Sequence, residues 1–317
     1  MTRLKCAVLD DYQNVALSIA DWSDLTGAVD VFSVNRHLEA EALVQAIEHC
    51  AMVVIMRERT PFPAELFDRL ANLKLLITSG MRNSSIDLAA AQRHGVTVCG
   101  TKSFSEPPAE LTWALIFALC RNLPIETQNI RNNLWQTTIG KDLMGSTLGL
   151  LGLGKIGMQI AGVAQALGVN VIAWSPNLTP KRAALANATL VTKAELFSQS
   201  DIVSLHLVLS QRTAGIVTHT DLALMKPDAL FVNTSRAGLV DNHALVKVLE
   251  AGRIGGAGID VFDEEPLPGS HSFRTLPNVI ATPHLGYVTH RNYAAYYREA
   301  VENIEAYLAG APVRILS

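Results

Sequence analysis

The chain has 317 residues, 49% of them hydrophobic, enough for about two domains of roughly 150 residues, each with its own core. Only 17% are charged, with 26 basic residues against 29 acidic, so no polyanion-binding surface is expected and nucleic acid is excluded as an expected partner. No stretch approaches the ~20 consecutive apolar residues of a spanning helix, and no membrane contact is expected.

The opening run from Met1 to Asp11 is too short in its apolar part for a signal peptide and reads as the first strand of the mature protein. The cysteines, Cys6, Cys50, Cys99 and Cys120, are widely spaced, with no CxxC pair and no histidine at metal-ligand spacing. Buried, reduced thiols in a cytoplasmic protein without a metal site are the economical expectation.

In chain order, short β-branched apolar runs predict strands at residues 4–9, 29–34, 52–56, 75–78 and 96–98, with helical spacing at 39–48 and 63–70. Alternating strand and helix is the signature of a parallel sheet covered on both faces. At 106–120 prolines open a helix with no polar face, expected to be buried on all sides. A second alternating series follows, with strands at 147–151, 169–174, 202–206, 230–233, 256–260 and 279–281, and residues 289–308 form an amphipathic helix.

Gly152-Leu-Gly154-Lys155-Ile156-Gly157 places GxGxxG directly between a strand and a helix pattern. In that context the first glycine makes the tight turn, the second lets backbone approach a pyrophosphate, and the third lets helix pack on strand. The helix N-terminus adds unpaired N–H groups for the phosphates. At the end of the next strand, Ser175 stands where an acid normally accepts from the ribose 2′-OH and repels a 2′-phosphate. NAD is the expected cofactor and NADP stays open, since Lys181 and Arg182 suit a 2′-phosphate and equally a solvated first helical turn capped by Thr179.

Three later strands are each followed by one ionisable group, Arg236, Glu265 and His284. Ligands of open α/β sheets bind outside the carboxyl ends of the strands, so all three are expected to share a crevice with the glycine turn. Taken singly, His284 could be a core histidine, Glu265 a turn cap and Arg236 a surface charge. Together they supply what hydride transfer at C2 of a hydroxy acid requires. His284 moves the proton on the adjacent oxygen, Glu265 fixes its tautomer and favours the imidazolium, and Arg236 binds the carboxylate and polarises the carbonyl.

Through the glycine turn, Asn233-Thr-Ser-Arg236, Asp260-Val-Phe-Asp-Glu-Glu265-Pro266 and Pro283-His284-Leu-Gly286, the chain resembles the D-isomer-specific 2-hydroxyacid dehydrogenase family. The resemblance implies two doubly wound parallel-sheet domains with the active site in a cleft between them. A flavodoxin-like substrate domain would comprise 1–104 and 290–317, and a Rossmann cofactor domain 105–289. It implies that Lys155 and Ile156 lend amides to the pyrophosphate, Leu207 and Thr234 line the cofactor groove, Asp260 holds the nicotinamide carboxamide, and Gly286 permits close approach to the ring. A homodimer is expected, with 109–120 and 128–139 as contact surfaces. Fewer than about forty residues follow His284, too few for a separate regulatory domain.

In the family, a glycine-rich turn binds the substrate carboxylate, and its counterpart here runs through Gly80, Met81 and Arg82. Arg82, with Arg57, suggests a second negative group on the substrate, unless Arg82 pairs with Asp87 or faces solvent. Tyr287 replaces a small residue, either as an aromatic lid or as packing. Glu265 in place of glutamine argues against the formate dehydrogenase branch. The substrate expected is a small anionic 2-hydroxy or 2-keto acid, as in phosphoglycerate dehydrogenase or the hydroxypyruvate and glyoxylate reductases. The alternative is a nicotinamide-binding, corepressor-like protein of the same fold.

Overall fold

A computed structural model describes residues 3–316. The chain divides into two compact units, Met1–Phe104 with Thr289–Ser317, and Ser105–Val288. The first carries a five-stranded parallel sheet of β1 (Leu4–Val8), β2 (Val29–Ser33), β3 (Met52–Ile55), β4 (Leu75–Thr78) and β5 (Thr97–Cys99), ordered β2-β1-β3-β4-β5. That is the flavodoxin-like order, whose direction reverses between β1 and β3. Its helices are α1 (Ala16–Ile19), α2 (Ala40–Ile47), α3 (Ala64–Arg69) and α4 (Leu88–Arg93). Every residue of β3 and β4 is buried, because helices cover both faces and leave no polar side for alternation.

The second unit begins with α5 (Glu106–Cys120) and α6 (Leu123–Arg131). There follow β6 (Thr147–Leu151), α7 (Lys155–Ala166), β7 (Asn170–Trp174), α8 (Pro180–Ala184), β8 (Thr189–Leu190), α9 (Lys193–Gln199) and β9 (Ile202–Leu205). It closes with α10 (His219–Ala223), β10 (Leu230–Asn233), α11 (Asn242–Glu250), β11 (Gly256–Ile259) and β12 (Val279–Ala281). All seven strands are parallel, ordered β12-β11-β10-β9-β6-β7-β8, with the switch point between β6 and β9. Helix starts follow local chemistry: Thr179, Thr192, Thr218 and Asp241 each accept a bond from a first-turn amide, and Thr192 and Thr218 complete capping boxes. The chain then returns to the first unit as α12 (His290–Leu308), whose Tyr293, Tyr296, Tyr297 and Ile304 are buried.

The helix at 106–120 departs from expectation. It packs on α7, β10 and β11, with Leu115 and Leu119 set against the bare backbone of Gly258. Glu110, Ala114 and Phe117, spaced along one face, are exposed, Phe117 by 40%. An apolar sequence with no polar face does not distinguish a helix enclosed by its own fold from one presenting an apolar surface. The sequence shows no sign of the edge strand β8, since two residues, one exposed and one half-buried, carry no periodic signal.

Candidate active site

In the second unit, six parallel strands deliver side chains or turns at their carboxyl ends. Gly152 follows β6, Ser175 follows β7, Leu207 lies just beyond β9, Thr234 to Arg236 follow β10, Asp260 follows β11, and His284 lies just beyond β12. This shared direction, enforced by the parallel register, places the predicted groups along one edge of the sheet.

The glycine turn fits a dinucleotide. Gly152 has φ +108°, and a Cβ there would lie 2.7 Å from the carbonyl carbon and oxygen of His206, so only glycine makes this turn. A Cβ at Gly157 would stand 2.3 Å from the Gly152 carbonyl oxygen, which seats α7 tightly on the turn. Gly154 faces open space, with nothing within 4 Å of an added Cβ. No side chain caps α7, and its first backbone bond runs from Met158 N–H to Gly154. The amides of Lys155, Ile156 and Gly157 therefore precede the helical ladder, beside an open approach, as a diphosphate requires.

Beyond β7, Gly152 N–H donates to the Trp174 carbonyl at 2.9 Å, which holds Ser175 beside the glycine turn. Lys181 and Arg182 lie in the exposed first turn of α8, where Thr179 accepts from Arg182 N–H.

After β10, Asn233 pins the loop that carries the arginine. Its Oδ1 accepts from Ser235 N–H at 3.0 Å and its Nδ2 donates to the Arg236 carbonyl at 3.0 Å. Ser235 donates to the Leu207 carbonyl at 2.7 Å, tying this loop to the end of β9. Arg236 Nη1 donates to the Ser235 carbonyl at 2.7 Å, and Thr234 shares a 2.7 Å hydroxyl bond with Thr112 of α5.

The histidine lies in a loop organised by Asp260. This fully buried carboxylate accepts from Thr282 Oγ1 at 2.6 Å, Leu285 N–H at 2.7 Å and Gly286 N–H at 2.9 Å. Burial pushes its pKa up, and these donors together with the nearby His284 oppose that rise. A Cβ on Gly286 would come within 3.2 Å of Asp260 Oδ2, so the loop closes on the carboxylate because residue 286 has no side chain.

His284 itself has φ +52°, a conformation costing about 1–2 kcal/mol in a non-glycine residue. Its N–H donates to the Thr282 carbonyl at 2.8 Å, and the turn aims its Nδ1 at Glu265 Oε2, 2.7 Å away. Glu265 is held in turn, its Oε1 accepting from Phe262 N–H at 3.0 Å. A carboxylate on Nδ1 leaves Nε2 as the nitrogen for proton exchange with a substrate. Tyr287 is buried edge-on to the His284 ring, centroids 5.4 Å apart, so it packs against the imidazole.

The first unit places Arg57 over the Gly80 turn. Gly80 has φ +84°, and a Cβ there would lie 3.5 Å from Arg57 Nη1. Asn83 donates to the Arg57 carbonyl at 2.7 Å, joining the two loops. Met81 and Arg82 are exposed. Asp87 caps α4 through Ala90 N–H at 2.8 Å, and no Arg82–Asp87 ion pair forms. Asn233 and Phe262, inside the quoted motifs but given no role there, and Thr282 and Thr112, outside them, serve to hold loops.

Among the described residues, no group of three or more His, Cys, Asp or Glu is placed to hold a metal ion, and no helix is long and apolar enough to cross a membrane.

Residues 113–286 match the model of the D-isomer specific 2-hydroxyacid dehydrogenase NAD-binding domain. The chain belongs to the D-isomer-specific 2-hydroxyacid dehydrogenase family. It is 36% identical over 279 residues to a D-3-phosphoglycerate dehydrogenase of Synechocystis, covering 87% of this chain and 50% of that one. It is 34% identical over 275 residues to a hydroxypyruvate reductase of Thermotoga maritima, covering 85% and 89%. A crystal structure of a phosphoglycerate oxidoreductase from Vibrio cholerae superposes with TM-score 0.92 at 39% identity, covering 97% of this chain and 100% of that one. The chain spans between 50% and 58% of the length of the phosphoglycerate dehydrogenases of Synechocystis and Methanocaldococcus jannaschii that it matches.

Proposed function

We propose that this protein is a D-2-hydroxyacid dehydrogenase, moving a hydride between a nicotinamide cofactor and C2 of a small anionic 2-hydroxy or 2-keto acid. The observation that carries this reading is the 2.7 Å contact between His284 Nδ1 and Glu265 Oε2, in a domain whose glycine turn is open to a diphosphate. When bound, the nicotinamide supplies or accepts the hydride. His284 gives the proton to the carbonyl oxygen in reduction and removes it from the hydroxyl in oxidation. Glu265 orients the imidazole and stabilises its charged form while the proton is in transit. Arg236 holds the substrate carboxylate and draws electron density from the carbonyl.

For the cofactor, the proposed contacts are Gly152, Gly154, Lys155, Ile156 and Gly157 at the diphosphate and Ser175 at the ribose. Leu207 and Thr234 line the groove, and Asp260 and Gly286 lie at the nicotinamide. Arg57, Gly80, Met81 and Arg82 are the proposed substrate contacts of the first unit, Arg57 and Arg82 suiting a second negative group. Among relatives, the names phosphoglycerate dehydrogenase and hydroxypyruvate reductase fit substrates of this kind. The four free, buried thiols suit a cytoplasmic protein, with burial raising Cys50 and Cys99 to about 11.

The test is a panel of 2-keto acids, glyoxylate, hydroxypyruvate and phosphohydroxypyruvate included, assayed with NADH and NADPH in parallel. Turnover on at least one is expected, and His284→Ala should lower kcat by about 10²–10⁴-fold with dinucleotide binding retained. Full turnover in His284→Ala refutes the assignment. Binding of nucleotide without oxidation by any acid favours the corepressor-like alternative.

A further inference from the structure

We propose that this chain selects the 2′-phosphorylated dinucleotide, NADP(H), and that Ser175, Asn177 and Arg212 receive its 2′-phosphate. The proposal rests on the dinucleotide reading of the second unit and goes beyond it, since the glycine turn serves either cofactor.

The first ground is position. In a dinucleotide-binding βαβ unit the adenosine ribose lies at the end of the second strand. Here that strand is β7, paired with β6 so that Trp174 lies opposite Leu151, and its end is bonded to Gly152. The residue that follows is Ser175, a small hydroxyl with no charge to repel a phosphate and a donor to offer it.

A second ground is charge. No Asp or Glu occurs between Asp142 and Glu195, a stretch that spans β6, α7, β7, α8 and β8 and contains Lys155, Lys181, Arg182 and Lys193. The acids next in sequence after that stretch are occupied. Glu195 closes the capping box of α9, and Asp201 accepts from Thr147 N–H at 2.8 Å and takes the Lys226 ammonium at 2.7 Å. The end of β7 thus lies in a run of chain without a carboxylate, in a molecule whose acids outnumber its bases.

Geometry supplies the third ground. The turn after β7 closes through Leu178 N–H to the Ser175 carbonyl at 3.1 Å and presents Asn177 outward. Arg212, exposed in the loop after β9, reaches across so that its Nη2 lies 3.5 Å from Asn177 Oδ1. A guanidinium is thereby stationed over the turn that would hold the ribose, from an element on the far side of β6 from β7. A planar fork of N–H donors suits a phosphate dianion, and Asn177 Nδ2 and Ser175 Oγ add neutral donors.

The test is calorimetric and fluorescence binding, with no turnover. Adenosine 2′,5′-bisphosphate is compared with AMP, and NADPH with NADH, on the wild type, Arg212→Ala and Ser175→Asp. The expected result is at least tenfold tighter binding of the 2′-phosphorylated member of each pair. Arg212→Ala should weaken NADPH at least fivefold and leave NADH unchanged, and Ser175→Asp should reverse the preference. Equal or tighter binding of NADH by the wild type overturns the proposal and leaves the dinucleotide reading standing. An equal loss for both cofactors in Arg212→Ala also overturns it. Binding of neither dinucleotide overturns both.

Discussion

Asp260 is buried without a cation bonded to it and is balanced by three donors, the Thr282 hydroxyl and the amides of Leu285 and Gly286. These donors belong to the loop that carries His284, so the carboxylate acts as a clamp on the proposed acid–base residue. Asp260→Ala leaves two amides without their acceptor, a cost on the order of 1–3 kcal/mol for each buried donor. A lower melting temperature and weaker substrate turnover are expected, and an unchanged melting temperature would count against the clamp. His206 offers a pH-dependent counterpart. Burial lowers its pKa from 6.5 to about 3, and its Nε2 lies 2.8 Å from Ser204 Oγ. The unfolded chain therefore takes up a proton below about pH 6.5 that the folded protein refuses until about pH 3. Stability from this residue is full above that window and falls as pH drops through it, by at most about 1.4 kcal/mol per pH unit. His206→Asn should flatten the fall in melting temperature between about pH 6.5 and 4.5, and parallel profiles for the two proteins would refute this account.

At the level of elements, the turn between β6 and α7 separates folding from binding within a few residues. Gly157 is required by packing, because its missing side chain leaves room for the Gly152 carbonyl. A Cβ on Gly154 would meet nothing within 4 Å, so packing within the protein does not demand glycine there. Gly154→Ala should therefore keep the wild-type melting temperature while weakening dinucleotide binding at least tenfold, and Gly157→Ala should lose both. If Gly154→Ala binds NADH and NADPH with wild-type affinity, the open face of the turn is not the diphosphate site. Sequence reached this far because a parallel strand buried on both faces is a continuous apolar run, as in Met52–Ile55, and because turn glycines follow such runs at fixed spacing. It did not reach the roles of Asn233, Thr282 or Phe262, whose polar or backbone bonds follow from loop conformations rather than from periodicity. For Arg82, of the alternatives the sequence left open, pairing with Asp87 is the one the structure removes, since Asp87 caps its helix while Arg82 is exposed.

For the whole molecule, the most exposed apolar expanse lies around α6 and the segment after it. Ile130 is 59% exposed, Leu134 51%, Trp135 73% and Ile139 96%, and no charged residue occurs between Arg131 and Lys141. Phe117 of α5 and Leu123 and Ile125 of α6 extend the apolar exposure. The sequence reading names 109–120 and 128–139 as contact surfaces of a homodimer, and Phe117, Ile130, Leu134, Trp135 and Ile139, which lie within them, are exposed. A second copy of this chain is the proposed occupant. A twofold interface sets a patch against its own copy, and this uncharged segment can meet its counterpart without burying a charge. Its large side chains, Trp135 above all, are of the kind that anchor interfaces. The protein, 34.3 kDa per chain, should therefore run as a dimer by light scattering at micromolar concentration. Ile139→Asp and Trp135→Asp should shift it toward the monomer without lowering the content of folded protein, since both side chains lie outside the core. A wild type that is monomeric at that concentration, or an aspartate at both positions that leaves the dimer intact, would refute self-association through this surface.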